Sequence, residues 1–160
     1  MNVIIRPMIK RDLSAVRLIS KNTAEFTPDE VELAGEVVDA YLANPGGSGY
    51  FALVAEIESE IAGYICYGPT PITDGTWDIY WIAVDRHIQG KGIGRRLMNA
   101  AEEQIRQARG RLILVETSSK PGYEKTNAFY QHIGYKESCR IKDFYMVGDD
   151  QIVYEKRFSY

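Results

Sequence analysis

The sequence of 160 residues predicts a mixed α/β fold, with helices packed on a sheet. The patterns of helix and strand follow one another as a strand, two helices, three strands, a helix, a strand, a helix and two strands. Two strand-like runs on either side of Glu58-Ser59 indicate an antiparallel hairpin. Between Trp77 and Glu116, a strand, a helix and a second strand indicate a right-handed parallel crossover. The sheet should therefore be antiparallel at its hairpins and parallel at this crossover.

The first third of the chain is expected to contain a strand over Asn2–Arg6 and helices beginning near Lys10 and Thr27. The second helix has the clearest start, because Thr27 and Glu30 form a capping box and Pro28 suits the first turn. Its apolar residues recur at helical spacing and should face the core: Leu33, Val37, Val38, Tyr41 and Leu42. The helix should end at Asn44-Pro45-Gly46-Gly47, and the first helix should end near Ser20.

The middle of the chain supplies the hairpin and the crossover. Strands are predicted over Tyr50–Ile57, Glu60–Tyr67 and Trp77–Val84, and a helix over Gly92–Arg109. The helix places Leu97, Ala101 and Ile105 on one face. The strand over Arg111–Glu116 has a continuous apolar run, which predicts burial on both faces.

The end of the chain is expected to form a short helix and two closing strands. The helix is predicted over Tyr123–His132, and the strands over Tyr135–Ile141 and Ile152–Phe158. A longer loop with a turn at Gly148-Asp149-Asp150 is expected between the two strands.

Composition places the chain among soluble globular proteins that bind neither nucleic acid nor membrane. It is 45% hydrophobic with a net charge of −3, whereas nucleic-acid binding needs a basic face. No apolar run reaches the ~20 residues of a membrane helix, and no signal-peptide pattern opens the chain, so a cytoplasmic protein is expected. Residues 1–160 suit one domain. Cys66 and Cys139 are expected to be buried free thiols, and no metal-ligand spacing is present.

The segment from Gln89 to Arg96 carries the most specific chemical signal. It reads Gln-Gly-Lys-Gly-Ile-Gly-Arg-Arg and lies between a predicted strand and a predicted helix. Alternate glycines allow unusual backbone angles, and the start of a helix offers unpaired N–H groups at a positive dipole end. Together with the basic side chains, these features predict an anion site, most naturally for phosphate.

Three alternative interpretations of this segment exist. A P-loop is excluded because no Gly-Lys-Ser/Thr follows at the required spacing. A dinucleotide site is closer, since Gly90 and Gly92 fit its first two glycines and Glu116 ends the next strand, but Arg95 replaces its third glycine. A solvated glycine-rich turn that binds nothing is the remaining alternative.

The segment resembles the acetyl-CoA signature of the GCN5-related N-acetyltransferase (GNAT) superfamily, which reads Gln/Arg-x-x-Gly-x-Gly/Ala. Gln89, Gly92 and Gly94 match the signature, and Ile82-Ala83-Val84-Asp85 resembles the preceding strand of the family. The order of elements agrees with the family over nearly the whole chain. The resemblance implies a mostly antiparallel sheet of about seven strands, with a parallel pair splayed apart in the middle and helices on both faces.

The resemblance also implies a site for acetyl-CoA, without a metal. The diphosphate would lie on the turn, the pantetheine arm along the strand before it, and the thioester in the opening between the splayed strands. The cofactor contacts are then expected from Ile82, Ala83, Val84, Gln89, Gly90, Lys91, Gly92, Ile93, Gly94, Arg95, Asn127 and Tyr130.

Catalytic roles follow from the same resemblance. Tyr130 falls where the family often has a tyrosine that protonates the departing thiolate, although Asn127 lies closer to it than in the family pattern. Asp78 aligns with the glutamate base of histone-acetylating relatives, and Glu116 and Tyr80 are rivals for that role. An acceptor amine needs such a base because the neutral form attacks, whereas a lysine-type amine has a pKa of ~10.4.

The predicted activity is N-acetyl transfer by direct attack of a primary amine, of a small molecule or a protein, on acetyl-CoA. A non-catalytic acetyl-CoA sensor is the main alternative, and a homodimer is possible because many relatives form one. Acidic and aromatic residues that could receive a cationic amine occur where this fold admits the acceptor: Glu25, Phe26, Asp74, Trp77, Asp143, Phe144, Tyr145, Asp149 and Asp150.

Overall fold

Seven strands form one sheet in a computed structural model that describes residues 1–160. The strands are β1 (Ile4–Pro7), β2 (Phe51–Ile57), β3 (Glu60–Pro69), β4 (Thr76–Val84), β5 (Leu112–Ser118), β6 (Lys136–Met146) and β7 (Asp149–Arg157). Their order in the sheet is β1-β2-β3-β4-β5-β7-β6, and every neighbouring pair except β4 and β5 is antiparallel. The predicted mixed α/β fold with one parallel crossover is confirmed.

Four α-helices follow the predicted order. They are α1 (Leu13–Asn22), α2 (Pro28–Ala43), α3 (Ile93–Gln107) and α4 (Glu124–His132), and a 3₁₀ turn over Lys10–Asp12 precedes α1. The predicted capping box is present: Thr27 Oγ1 accepts a hydrogen bond from the Glu30 N–H, and Glu30 Oε2 accepts one from the Thr27 N–H at 2.6 Å. Such caps typically contribute about 1 kcal/mol to helix stability. They fix the first turn of α2, and with it the connection from α1.

The helices cover opposite faces of the sheet. Helices α1 and α2 pack Val16, Ile19 and Val38 on one face, against alternate residues of β2, β3 and β4. Helix α3 places Leu97 and Ile105, both fully buried, on the other face. The predicted apolar stripe of α2 is correct at Val38 and Tyr41 but wrong at Leu33, which is exposed.

The parallel pair at the centre of the sheet is short. Strands β4 and β5 pair only from Thr76–Leu112 to Ile79–Val115. Tyr80, the residue after Ile79, forms a β-bulge that interrupts the pairing of β4 with β3. From Tyr80 to Val84, β4 has no partner strand on the side where β5 lies. Bulges bend the strand that carries them. The two strands therefore separate here, which confirms the splayed pair.

Two strand predictions are wrong in detail. Strand β5 alternates buried and accessible residues, and Glu116 is exposed, because neither α1 nor α2 covers this half of the sheet. The predicted loop between Ile141 and Ile152 is instead an extended hairpin, in which β6 and β7 meet at a tight turn over Val147-Gly148.

The prediction that both thiols are buried holds for only one of them. Cys66 lies in the core between β2 and β4, and burial raises its pKa to about 12. Cys139 is exposed because β6 is the edge strand of the sheet. No helix is both long enough and apolar enough to cross a membrane.

Candidate active site

The turn between β4 and α3 presents unpaired backbone donors. Gly90 and Gly92 have φ values of +77° and +79°, in the left-handed region that favours glycine. Within the protein, no main-chain N–H group of residues 89–95 donates a hydrogen bond; the first α-helical bond of α3 runs from the Arg96 N–H to the Gly92 carbonyl at 3.1 Å. A side chain at Gly90 or Gly92 would project into open space. The turn therefore offers a cradle of free donors at the positive end of a helix.

The shape of this turn is fixed by its two neighbours. The Gln89 side-chain amide donates a hydrogen bond to the carbonyl oxygen of Val84, the last residue of β4, at 3.1 Å. On the other side, a Cβ added at Gly94 would lie 3.4 Å from the ring of Phe129 in α4. The first turn of α3 therefore packs directly against α4.

Four cations surround the cradle without carboxylate partners. Arg86, Lys91, Arg95 and Arg96 are all exposed, and none forms an ion pair. In a chain of net charge −3, their grouping concentrates positive charge at one end of the splay. An anion bound there would gain both hydrogen bonds and Coulomb attraction.

Tyr130 lies beneath the splay with a free hydroxyl. Its side chain is 4% exposed and packs on Tyr135 and Tyr154 at centroid distances of 6.0 and 5.8 Å. The hydroxyl forms no hydrogen bond in the protein. Because every fully buried side-chain oxygen has a hydrogen-bond partner, the Tyr130 hydroxyl oxygen is accessible to solvent. Burial raises the pKa of Tyr130, which keeps the phenol in its neutral form, the form that donates a hydrogen bond.

Asp78 and Glu116 face each other across the separating strands. The Thr70 hydroxyl donates to Asp78 Oδ2 at 2.5 Å, and the Gln151 amide donates to Glu116 Oε2 at 3.2 Å. Desolvation by neighbouring atoms raises the pKa of Glu116, and the charge of Asp78 raises it further. Glu116 therefore binds a proton more strongly than an ordinary glutamate does.

Other predicted residues lie in different settings. Tyr80 is half-buried at the bulge and packs edge-on against Tyr50 at 5.5 Å. Asn127 has both ends of its amide engaged with the end of β5: Oδ1 accepts from the Thr117 hydroxyl at 2.7 Å, and Nδ2 donates to the Ser118 carbonyl at 3.2 Å. Asn127 therefore holds α4 against β5.

Some of the predicted acceptor residues lie away from the splay, and others lie near the C-terminal end of β5. Trp77 is a core residue that packs on Tyr67 and Phe51, and Asp74 lies beside it, before the start of β4; neither lies near the splay. Glu25 and Asp149 instead lie near the C-terminal end of β5: the Glu25 carbonyl oxygen accepts a hydrogen bond from the Tyr123 hydroxyl at 3.0 Å, and Asp149 Oδ1 accepts one from the hydroxyl of Ser118, the last residue of β5.

Several residues of the site have no signal in the sequence. Thr70, Tyr123 and Gln151 come from a loop, a helix start and an edge hairpin that are distant in the chain. Only the arrangement of the sheet, which brings these three elements together, could have indicated the role of these residues. No group of three or more His, Cys, Asp or Glu side chains is arranged to hold a metal ion.

Comparisons with known proteins point to one family. The family model described as "Acetyltransferase (GNAT) domain" matches residues 48–137, which include β4, the glycine turn and α4. A protein from Desulfovibrio desulfuricans, assigned to the GNAT family of acetyltransferases, is 39% identical; the match covers 98% of this chain and 99% of that one, with a TM-score of 0.93. The chain has no match among curated protein sequences.

More distant solved structures share the fold. The ribosomal-protein-S18-alanine N-acetyltransferase of Escherichia coli is 18% identical, with 99% and 96% of the two chains covered and a TM-score of 0.77. A protein from Salmonella typhimurium solved with its cofactor acetyl-CoA is 19% identical, with 100% and 96% covered and a TM-score of 0.77. At these identities, the likeness concerns the fold alone.

Proposed function

The chain belongs to the GNAT family of acetyltransferases, and from this membership we propose that it transfers the acetyl group of acetyl-CoA directly to a primary amine. The observation that carries the proposal is the row of unpaired N–H groups over residues 89–95, at the end of a strand that has separated from its neighbour. These donors suit a diphosphate, and the unpaired edge of β4 suits an amide-bearing arm.

The cofactor residues fall into three groups in this proposal. Main-chain groups of Gln89, Gly90, Lys91, Gly92, Ile93, Gly94 and Arg95 hold the diphosphate. Ile82, Ala83 and Val84 offer their free backbone edge to the pantetheine arm, which places the thioester near the Tyr80 bulge. Asn127 acts by holding α4, and a direct contact with the cofactor stays a prediction.

The chemistry needs a proton acceptor for the amine and a proton donor for the thiolate. Glu116 takes the proton from the incoming ammonium, directly or through a water, because its pKa lies above that of an ordinary carboxyl. Asp78, held in place by the Thr70 hydroxyl, lies nearby and contributes to the raised pKa of Glu116. The neutral nitrogen then forms a bond to the carbonyl carbon, the carbon–sulfur bond breaks, and Tyr130 protonates the departing sulfur. The second proton that the nitrogen loses as it becomes an amide returns to the Tyr130 phenolate, and Glu116 releases its proton to solvent.

The free hydroxyl of Tyr130 favours transfer over an acetyl-CoA sensor. A sensor needs no proton donor at the sulfur, whereas a leaving thiolate with a pKa near 8.5 gains from one. Cys66 cannot act as a nucleophile in place of the amine, because burial raises its pKa to about 12 and keeps it a thiol.

A thiol-release assay tests the proposal. Purified protein is incubated with acetyl-CoA and a panel of primary amines, and free coenzyme A is followed with a thiol reagent. Amine-dependent release that is lost in Gly92→Trp supports transfer. Tight binding of acetyl-CoA without release by any amine would indicate a sensor, and preferential binding of NAD would indicate a dinucleotide site.

The proposal extends to residues 1–160 as one acetyltransferase domain. The proposal also includes the cytoplasmic location expected from the sequence and the homodimer that the family resemblance makes possible. Gel filtration with light scattering measures the oligomeric state.

A further inference from the structure

A buried ion pair joins three elements on the face of the sheet that carries α3 and α4. Lys156 of β7 donates a hydrogen bond from Nζ to Oε2 of Glu102 in α3 at 2.9 Å. The hydroxyl of Tyr135, which lies between α4 and β6, donates to Glu102 Oε1 at 3.0 Å, so both oxygens of this carboxylate are engaged. The Glu102 side chain is 8% exposed. The buried triad is the name used below for Glu102, Tyr135 and Lys156.

The end of α4 places Tyr135 directly against Tyr130. Gly134 has a φ of +94°, and its N–H donates to the Gln131 carbonyl oxygen at 3.2 Å, while the Tyr135 N–H donates to the Tyr130 carbonyl oxygen at 3.0 Å. These two bonds form a Schellman motif, which brings the residue after the glycine into contact with the last turn of the helix. The rings of Tyr135 and Tyr130 accordingly meet edge-on at a centroid distance of 6.0 Å. Tyr135 therefore restrains Tyr130 through both its backbone and its ring.

Lys156 holds the same end of α4 from β7. Its Nζ donates a second hydrogen bond to the Ile133 carbonyl oxygen at 3.1 Å and lies 5.4 Å from the centroid of the Tyr135 ring. Carbonyl groups at the C-terminal end of a helix have no partner within the helix, and a cation is favourable there. The end of α4 is thus tied to β7 by Lys156 and to α3 by Glu102.

The buried triad also connects the proposed acid to the proposed cofactor site. Helix α3 begins at the glycine turn, and at Gly94 it packs against Phe129 of α4. Further along the same helix, Glu102 bonds to Tyr135. Contacts at two places therefore fix α4 relative to the helix that begins at the cradle. They set the position of the Tyr130 hydroxyl relative to a cofactor bound there.

We propose that Glu102, Tyr135 and Lys156 are positioning residues, which hold the Tyr130 hydroxyl in line with the departing sulfur. This inference rests on the proposed acetyl transfer and on Tyr130 as its acid. The Tyr130 hydroxyl has no hydrogen bond within the protein, so its direction depends on how its ring and its helix are held. Proton donation needs hydrogen-bond reach, and a small displacement of a reacting group is costly. A fully paired polar network in the core adds little stability relative to apolar residues, but it specifies one arrangement.

Tyr135→Phe tests the inference, because it removes only the hydroxyl that bonds to Glu102 and keeps the ring against Tyr130. We expect kcat for thiol release, with the best amine of the panel, to fall about 10-fold while the Kd for acetyl-CoA stays within about 2-fold. Tyr64→Phe is the matched control, since Tyr64 is fully buried on the other face and its hydroxyl bonds to Ser20 at 2.6 Å. A wild-type kcat in Tyr135→Phe, or an equal fall in Tyr64→Phe, would overturn the inference.

A double-variant cycle separates positioning of Tyr130 from a general loss of structure. Tyr135→Phe is made in the wild type and in Tyr130→Phe, and the two changes in kcat are compared. A residue that acts through the Tyr130 hydroxyl has no further effect once that hydroxyl is absent, so the fall should disappear in the second background. The same fall in both backgrounds overturns the inference and leaves Tyr130 as the acid. A wild-type kcat in Tyr130→Phe alone refutes the acid and the inference together.

Two variants of Glu102 test the carboxylate itself. Glu102→Gln keeps an oxygen that accepts a hydrogen bond from Tyr135, whereas Glu102→Leu has none. The glutamine variant should therefore keep the higher kcat of the two. Equal kcat in two folded variants would contradict a role for this bond.

A measurement without turnover makes the test independent of the acceptor. Tyrosine rings are labelled with ¹³C, and the Tyr130 signals are identified by their absence in Tyr130→Phe. The ring of Tyr130 should flip faster in Tyr135→Phe than in the wild type or in Tyr64→Phe. Faster flips support the inference even if no amine in the panel is acetylated, and an unchanged flip rate overturns it.

Discussion

The side-chain amide of Gln89 donates a hydrogen bond to the carbonyl oxygen of Val84 at 3.1 Å, and this bond joins the glycine turn to the end of β4. The turn uses a side chain for this purpose, while the backbone donors of residues 89–95 remain unpaired. The same bond fixes the direction in which the free edge of β4 meets the cradle.

Replacement of Gln89 by alanine should weaken the binding of coenzyme A by about 5-fold, because one net hydrogen bond of about 1 kcal/mol is lost from the brace. The change should lower the free energy of unfolding by no more than about 1 kcal/mol, since the residue is exposed and loses only this hydrogen bond. Titration calorimetry measures the affinity. Gln107→Ala, at an exposed glutamine near the end of α3, is the control and should bind as the wild type does; equal affinity for all three proteins would show that the brace does not shape the site.

Gly92→Trp should abolish the binding of coenzyme A, because the indole ring would enter the open space in front of the cradle and the positive φ would be strained. Circular dichroism should show a folded protein. Gly46→Trp places the same side chain in open space in the connection after α2 and should bind normally. Normal binding by Gly92→Trp would move the diphosphate away from this turn.

Tyr130→Phe should lower kcat by ~10²-fold or more and leave the affinity for acetyl-CoA within about 2-fold, because the ring packing is kept and only the proton donor is lost. Stopped-time assays of thiol release give kcat. Tyr41→Phe removes a buried hydroxyl on the opposite face, one that bonds to the Met8 carbonyl, and should keep kcat. A wild-type kcat in Tyr130→Phe would exclude it as the acid.

Asp78→Asn should move the acidic limb of the kcat/KM profile to lower pH. The charge of Asp78 raises the pKa of Glu116, after the larger effect of desolvation, so its removal lets Glu116 ionise at lower pH. Glu116→Gln should remove that limb and most of the activity. Asp74→Asn is the control, because Asp74 is exposed and lies before the start of β4. Its profile of kcat/KM against pH should match that of the wild type. If the profile of Asp78→Asn also superimposes on the wild-type profile, the carboxylates of Asp78 and Glu116 do not interact.

The sequence allowed the order of elements, the crossover and the glycine turn to be predicted, because each depends on local signals. Thr27 and Glu30 mark a helix start within four residues, and Gly92 marks a backbone angle at one position. The signals for Gln89 and Tyr130 also lie within a short segment that resembles a family motif. These features can therefore be predicted from the sequence alone.

The acceptor side was harder to predict because it is assembled across the sheet. Trp77 and Tyr145 are both aromatic residues near acids in the sequence, yet one lies in the core and the other is exposed in the β6–β7 hairpin. The difference depends on which half of the sheet α1 and α2 cover, and on the β6–β7 hairpin, which was expected to be a loop. Tyr123 and Thr70 carry no local signal, since their partners are Glu25 and Asp78 in other elements.

The proposed cofactor site depends on the unpaired main-chain N–H groups of the glycine turn. Amide hydrogen exchange measures the accessibility of each of these groups separately. Exchange is measured by NMR on the protein alone and with saturating coenzyme A. We expect fast exchange of the amides of residues 89–95 in the free protein and slow exchange of the same amides in the complex. Coenzyme A that saturates the protein while the exchange of these amides stays unchanged would contradict it.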